Sequence, residues 1–291
     1  MVITHEENAW LLTTEDVEKL PNCNHHEADT RIIAHAIPAD TPVVVVASDT
    51  DILILLVYAY HKFMKETGRQ VQMKIDTERF VNIKTIAENL PEDAINCLPA
   101  YHSITGCDTT SYPFGVGKVR PWTKALKKKK IKLLEDLEKE NTEGLDAAET
   151  FVKTIMYPGK ETDSVVDTRS KMYEKQKQKA SSSLIPDPDS LNQHLKRARL
   201  QTMIWTQSGQ QNIDYPNPTE YGWVQEDGLK PLWFVGPQLP PSLTRASRKR
   251  KHRVEKTVGY DADTEESDAE EPVPKKPVRT SRGQTSQGLT I

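Results

Sequence analysis

The sequence predicts an α/β fold with a mostly parallel sheet, and two patterns near the start of the chain carry that prediction. Residues 43–47 form an uninterrupted run of four valines and an alanine. Such runs are typical of strands that are buried on both faces of a parallel sheet. Upstream of this run, Ala28, Ile32, Ile33 and Ala36 recur at the spacing of one helix face. Together they indicate a buried strand with a helix packed beside it.

The elements that follow the strand are predicted from capping and turn signals. Ser48 and Asp49 are both suitable N-caps, so a helix is expected to begin there and continue through the apolar stretch 52–60. Residues 71–75 and 80–83 are predicted to form a hairpin that turns at 76–78. Further helices are expected at 85–89 and 92–105, and a short hairpin within the first twelve residues.

Composition divides the chain into three segments. Residues 1–160 hold the α/β pattern, and residues 161–243 form a helical extension that is rich in proline and aromatic residues. In this extension Ser190 is a predicted N-cap, and the stripe after it has helical spacing: Leu191, Leu195, Ala198, Thr202 and Trp205. Residues 244–291 are charged and poor in apolar residues, so we expect a disordered tail.

The composition argues against several classes of protein. The 291 residues include three cysteines and no CxxC pair, which argues against a disulfide framework and for a reducing compartment. The longest apolar run, 43–58, contains charged residues and is too short to span a bilayer, so no membrane partner is expected. The first residues lack the pattern of a signal peptide.

The net charge of −3 conceals separate charged blocks. Residues 118–132 are basic, and residues 261–271 are acidic, so the tail could bind a basic protein partner. A basic cluster in the tail predicts a nuclear localisation signal and hence a nuclear protein. Its residues are Arg248, Lys249, Arg250, Lys251 and Arg253.

Acidic residues occupy positions where a metal site could form. They are Glu27, Asp29, Asp49, Asp51 and Asp108. Asp49 and Asp51 follow the buried strand, at the sheet edge where α/β proteins bind ligands. Oxygen ligands of this kind suit hard cations such as Mg²⁺ or Mn²⁺, and a two-ion site can promote phosphodiester cleavage.

A structural explanation stands beside the metal site. Asp49 is a suitable helix cap, and so is Asp108 in the turn 106–110, which is expected to open a helix. Glu27 could pair with Arg31 one helical turn later. Each acid alone is more often a cap or a surface charge than a ligand. Caps do not explain why three separate elements present acids in similar places.

The order of these motifs resembles that of flap endonucleases and related structure-specific 5′ nucleases, which have PIN-like domains. The matching segments are Glu27-Ala28-Asp29, Ser48-Asp49-Thr50-Asp51 and Gly106-Cys107-Asp108. The sequence is also similar to a little-characterised group of animal proteins with EADTR, SDTDIL and GCDTTS runs. The resemblance covers roughly residues 24–130. It implies a partial three-layer PIN-like fold, in which the five acids bind divalent metal and Asp49, Asp51 and Glu27 are catalytic.

The resemblance also implies a helix–two-turn–helix segment that contacts nucleic acid. Gly115-Val116-Gly117 stands where the family has a Gly-x-Gly turn, which holds a monovalent ion and touches the DNA backbone. Glycines there can adopt positive φ and bring backbone N–H groups close to a phosphate. An ordinary tight turn is the alternative. The basic residues expected on the phosphates are Lys118, Lys124, Lys127 and Lys128.

The family takes further catalytic aspartates from strands upstream of the Glu-x-Glu pair. Here only about two dozen residues precede Glu27, so we expect an N-terminally incomplete domain that is a fragment, a degenerate copy, or half of a two-chain unit. Two functions follow. The first is a metal-dependent, structure-selective nuclease module, either active or inactive alone. The alternative is a non-catalytic domain, derived from such a nuclease, that binds nucleic acid or protein.

Overall fold

The computed structural model describes the backbone of three N-terminal strands and the residues 22–175 and 181–236. The nuclear localisation cluster, the acidic stretch and the tail from residue 244 lie outside the described residues. The N-terminal strands are β1 (Val2–His5), β2 (Asn8–Leu12) and β3 (Val17–Lys19). They form an antiparallel sheet of their own, in the order β1-β2-β3.

A second sheet carries the α/β pattern. Its strands are β4 (Val43–Val46), β5 (Val71–Lys74) and β6 (Phe80–Asn82). Strand β4 pairs with β5 in parallel, whereas β5 pairs with β6 antiparallel. The fold is therefore α/β with a small mixed sheet, and the expectation of a mostly parallel sheet is wrong. The reason is local, because the short turn between β5 and β6 requires the antiparallel hairpin that the sequence also predicts.

Helices fill the rest of the described chain. They are α1 (Ala28–Ala36), α2 (Thr50–Ala59), α3 (Ile83–Asn89), α4 (Glu92–Asn96), α5 (Leu98–Thr105), α6 (Val119–Lys127), α7 (Thr142–Phe151), α8 (Val165–Lys175) and α9 (Pro188–Thr206). Two of them continue as π-helical turns, α2 through Tyr60–Met64 and α7 through Val152–Met156. A hairpin of β7 (Trp223–Gln225) and β8 (Leu229–Pro231) follows.

The β4–β6 sheet buries only one of its faces within the described chain. Val45, Val71 and Met73 point into a core that α1, α2 and α3 share. On the opposite face of β4, Val44 is 51% exposed and Val46 is 75% exposed. The prediction of a strand buried on both faces is therefore wrong. A valine run reports that a strand is apolar, but the number of covered faces depends on which other elements pack there.

Helix α9 joins the two halves of the interior. Leu191, Leu195 and Ala198 pack in a core with α5 and α7, whereas Ile204 and Trp205 pack in the core beneath the sheet. The predicted apolar stripe of this helix is buried throughout. Its N-cap is Asp187, not Ser190, because the Asp187 carboxylate accepts a hydrogen bond from the Ser190 backbone N–H.

The described residues up to Gly236 belong to one compact unit. Among the described residues, none of the helices combines the length and the apolar character that a membrane crossing requires. Cys23, Cys97 and Cys107 are all free thiols.

Candidate metal and nucleic-acid site

Three elements bring the acidic residues together. Strand β4 leads into the segment that holds Asp49, and α2 begins at Thr50. Helix α1 begins directly after Glu27, and α5 ends directly before the turn that contains Asp108. Helices α1 and α5 both pack against α2, so the ends that carry the acids lie close together.

Glu27 occupies the N-cap position of α1, yet its carboxylate does not cap the helix. It accepts hydrogen bonds from Gln201 Nε2 at 3.0 and 3.1 Å and from Trp205 Nε1 at 3.2 Å, both on α9. These contacts join Glu27 to a helix about 175 residues away in the sequence. Burial raises the pKa of Glu27, and the nearby carboxylates of Asp51 and Asp108 add to that rise.

Asp29 shows most directly that the acids form one cluster. Its pKa is raised to about 6, first by burial and then by repulsion from Asp49, Glu27, Asp51 and Asp108. The four other candidate residues therefore all lie close enough to act on this one carboxylate. Crowded carboxylates of this kind repel one another unless a proton or a cation lies among them.

Asp49 and Asp51 have different surroundings. Asp49 is exposed and is the N-cap of α2, where its Oδ1 accepts the backbone N–H of Asp51 at 2.9 Å. The capping role predicted for Asp49 is confirmed, and it uses one of its two oxygens. Asp51 is 7% exposed, and its Oδ1 lies 2.7 Å from Nε2 of the buried His102.

His102 on α5 links the acids to a lysine. The Lys118 ammonium lies 3.0 Å from His102 Nδ1 and 3.1 Å from His102 Nε2. A neutral imidazole that donates from Nε2 to Asp51 leaves Nδ1 free to accept from Lys118. Burial lowers the pKa of Lys118, while Asp51 and Asp49 oppose that decrease.

Asp108 lies in a tight turn that does not open a helix. Thr110 N donates to Cys107 O at 3.2 Å, and the next helix, α6, begins only at Val119. The expectation that Asp108 opens a helix is wrong, because the backbone N–H groups that it could cap belong to the turn. Asp108 is exposed, so its carboxylate stands in solvent.

Two turns connect α5 and α6. The second closes through Val116 N and Pro113 O at 3.1 Å, and Gly115 there has φ +73°. Gly115 thus has the positive φ expected of the Gly-x-Gly segment, whereas Gly117 is not among the glycines with positive φ.

The lysines at the C-terminal end of α6 differ in whether their ammonium groups are hydrogen-bonded within the protein or exposed to solvent. Lys124 Nζ donates to the carbonyls of Thr154 and Ile155 at 2.8 and 3.0 Å. It therefore stabilises the end of the π-helical turn after α7. Lys127 and Lys128 are exposed to solvent.

Sequence reasoning missed three residues that support the acids. His102 holds Asp51, and Trp205 and Gln201 hold Glu27. Gln201 also accepts from Thr109 Oγ1 at 2.6 Å, so one amide connects Glu27 to the turn of Asp108. The signal available for Gln201 was its place one turn after Ala198 and one turn before Trp205, both in the predicted apolar stripe, since a buried amide needs a partner.

The donor set fits a hard divalent cation in its chemistry, because it consists of carboxylate oxygens. Burial, and then the neighbouring carboxylates, raise the pKa of Glu27 and of Asp29. Within the part of the chain that the structure describes, no three His, Cys, Asp or Glu side chains converge closely enough to hold one ion as they stand. The acids are thus neighbours in one cluster without a closed coordination shell.

Comparison of the chain with protein-family models, with curated proteins and with solved structures gave no match.

Proposed function

We propose that this chain is a metal-dependent, structure-selective nuclease module that hydrolyses phosphodiester bonds. The observation that carries the proposal is the placement of the acids: Glu27 precedes α1, Asp49 precedes α2, and Asp108 lies in the turn after α5, and both α1 and α5 pack against α2. A folded protein that keeps carboxylates so close gives up stability at that site. Binding of a divalent cation would account for that cost.

In this proposal the acids differ in role. Glu27, Asp49 and Asp51 lie at the centre of the reaction, and Asp29 and Asp108 complete the metal ligands. Magnesium or manganese, when bound, would supply a nucleophilic water and neutralise the charge on the attacking and leaving oxygens. His102 orients Asp51 through its 2.7 Å contact, as a second layer of hydrogen bonds commonly does for metal ligands.

The cations of this region would hold the phosphate backbone. Lys118 lies beside the acids, and the exposed Lys127 and Lys128 add attraction that weakens with salt. The turn at Gly115 has open space on its α-carbon, so a backbone phosphate can approach it closely. Lys124 is assigned a structural role because its ammonium already donates to two carbonyls.

The test is cleavage of a labelled 5′-flap DNA and of a single-stranded RNA by the purified chain, with Mg²⁺ or Mn²⁺. We expect cleavage that requires the metal and falls at least about a hundredfold in an Asp49→Asn/Asp51→Asn variant. Asp146→Asn, on α7, is the matched control and keeps full activity. Equal cleavage by the wild type and the double variant would mean a contaminating nuclease and would refute the proposal.

A second function, nucleic-acid or protein binding without catalysis, is favoured by a separate observation. Asp49 already serves as a helix cap, Asp51 already pairs with His102, and no three metal-binding groups converge within the described residues. Binding of nucleic acid without cleavage, by a chain whose circular dichroism shows it to be folded, would decide for this alternative.

A further inference from the structure

An aromatic pocket opens beside the acidic cluster. Three large rings are exposed at its rim: Tyr112 and Phe114 at 64% each, and Trp233 at 56%. Its floor is apolar and is formed by Ile104, Val152, Met156, Leu184 and Leu191. Exposed aromatic rings grouped around one concavity are unusual on a protein surface and commonly mark a binding site.

Tyr112 belongs to both the pocket and the acidic cluster. Its ring lies 5.6 Å from the Lys118 ammonium, which contacts His102, the partner of Asp51. The backbone is built to place this ring, because Gly106 has φ +108° and a Cβ there would lie 2.4 Å from Tyr112 Cδ1. A ligand that touches the Tyr112 ring therefore lies next to the candidate site.

Cations lie at two of the three rings, and the acids near Tyr112 are those of the candidate metal site. Lys118 stands beside Tyr112, and the Arg197 guanidinium lies 5.3 Å from the Trp233 ring. Among the described residues, none of those that line the pocket is acidic. Ser111 supplies a hydroxyl to the lining, whereas His194 and Arg197 are buried and already donate to backbone carbonyls.

From these observations we propose that the pocket binds unpaired nucleobases of a single-stranded segment, which stack on Tyr112, Phe114 and Trp233 while the adjoining phosphates reach Lys118. Bases stack on aromatic side chains without regard to sequence. The inference deepens the proposed function and rests on it, since it identifies the substrate as nucleic acid with unpaired nucleotides beside the scissile phosphate.

The experiment compares two single-stranded oligonucleotides of equal length, in EDTA, so that binding is measured without cleavage. One is oligothymidylate, and the other carries abasic sites throughout, with the same phosphates and no bases. Fluorescence anisotropy of a terminal label reports each dissociation constant. We expect the wild-type chain to bind oligothymidylate at least roughly tenfold more tightly.

Variants test whether the tighter binding of oligothymidylate depends on the rings of the pocket. Tyr112→Ala, Phe114→Ala and Trp233→Ala should each weaken binding of oligothymidylate about three- to tenfold and leave binding of the abasic strand unchanged. Tyr112→Phe keeps the ring and should keep the preference, which separates stacking from a change in folding. Tyr173→Ala, an aromatic residue on α8 that is 70% exposed and does not line the pocket, is the matched control.

Three results would overturn the inference: equal affinity of the wild type for both strands, no binding of either, or an equal loss for both strands in the alanine variants. The outcome is separable from that of the nuclease proposal. A base preference without cleavage in metal would keep the pocket and refute the nuclease. Cleavage without any base preference would keep the nuclease and refute the pocket.

Discussion

Asp29 is half-buried, and burial together with repulsion from four other acids raises its pKa to about 6. Replacing it with Asn keeps its size and removes one negative charge. We expect Asp29→Asn to raise the free energy of unfolding at pH 7, in EDTA, by about 1 to 2 kcal/mol after allowance for solvent screening. Urea denaturation followed by circular dichroism measures the change.

Asp40, on the exposed loop before β4, provides the control for Asp29. Asp40→Asn should change stability by less than about 0.5 kcal/mol. If Asp29→Asn were neutral or destabilising while Asp40→Asn behaved as expected, the acids would not be crowded as described.

His194 provides a pH-dependent test outside the acidic cluster. It is buried, Nε2 lies 2.9 Å from Ile104 O, and burial lowers its pKa to about 4. The unfolded chain binds this proton near pH 6.5, whereas the folded chain binds it only near pH 4. Its stabilising contribution is therefore complete above about pH 6.5 and is lost as the pH falls toward 4.

We expect wild-type stability to fall more steeply than that of His194→Gln between pH 6.5 and 4, by about 2 to 3 kcal/mol over the interval. Glutamine can still donate to the Ile104 carbonyl and does not titrate. Parallel pH profiles for wild type and His194→Gln would show that this imidazole does not lose its proton on folding.

At the scale of elements, the turn after α5 determines where both Asp108 and Tyr112 lie. Gly106 requires its positive φ, and any side chain there would also collide with the Tyr112 ring. We expect Gly106→Ala to cost about 3 kcal/mol or more, from the backbone strain and the overlap together. Denaturant unfolding measures it.

A variant at Gly115 measures the backbone strain without the overlap with Tyr112. Gly115 also has positive φ, but no atom lies within 4 Å of a Cβ at that position. Gly115→Ala should therefore cost only the backbone term, about 1 to 2 kcal/mol. Adding Tyr112→Ala to Gly106→Ala should recover part of the loss, and equal costs for the two glycine variants would contradict the described packing of Tyr112.

Local signals in the sequence predicted several elements well. The cap at Asp49, the hairpin of β5 and β6, and the buried stripe of α9 depend on neighbours a few residues away, and all three are confirmed. The open face of β4 was not predictable in this way. A valine run has the same sequence whether one or two layers cover it, and the covering layer is chosen by the rest of the chain.

At the scale of the whole molecule, α9 is what the sequence could not place. Its apolar stripe was predictable, but its contacts lie 174 residues away at Glu27 and 92 residues away at Thr109. Pairs so distant in sequence leave no periodic signal in a single chain. Helix α9 lies in the segment 161–243, which was predicted to be an extension. Its side chains hold Glu27 by hydrogen bonds and pack in both hydrophobic cores.

In the proposed function, the acids of three elements form one divalent-cation site. The most direct measurement is titration of the purified chain with Mn²⁺, followed by electron paramagnetic resonance of the free ion. We expect saturable binding of Mn²⁺ to the wild type and to Asp146→Asn, and binding at least about tenfold weaker to Asp49→Asn/Asp51→Asn. Equal uptake of Mn²⁺ by the wild type and the double variant, or none by either folded chain, would contradict it.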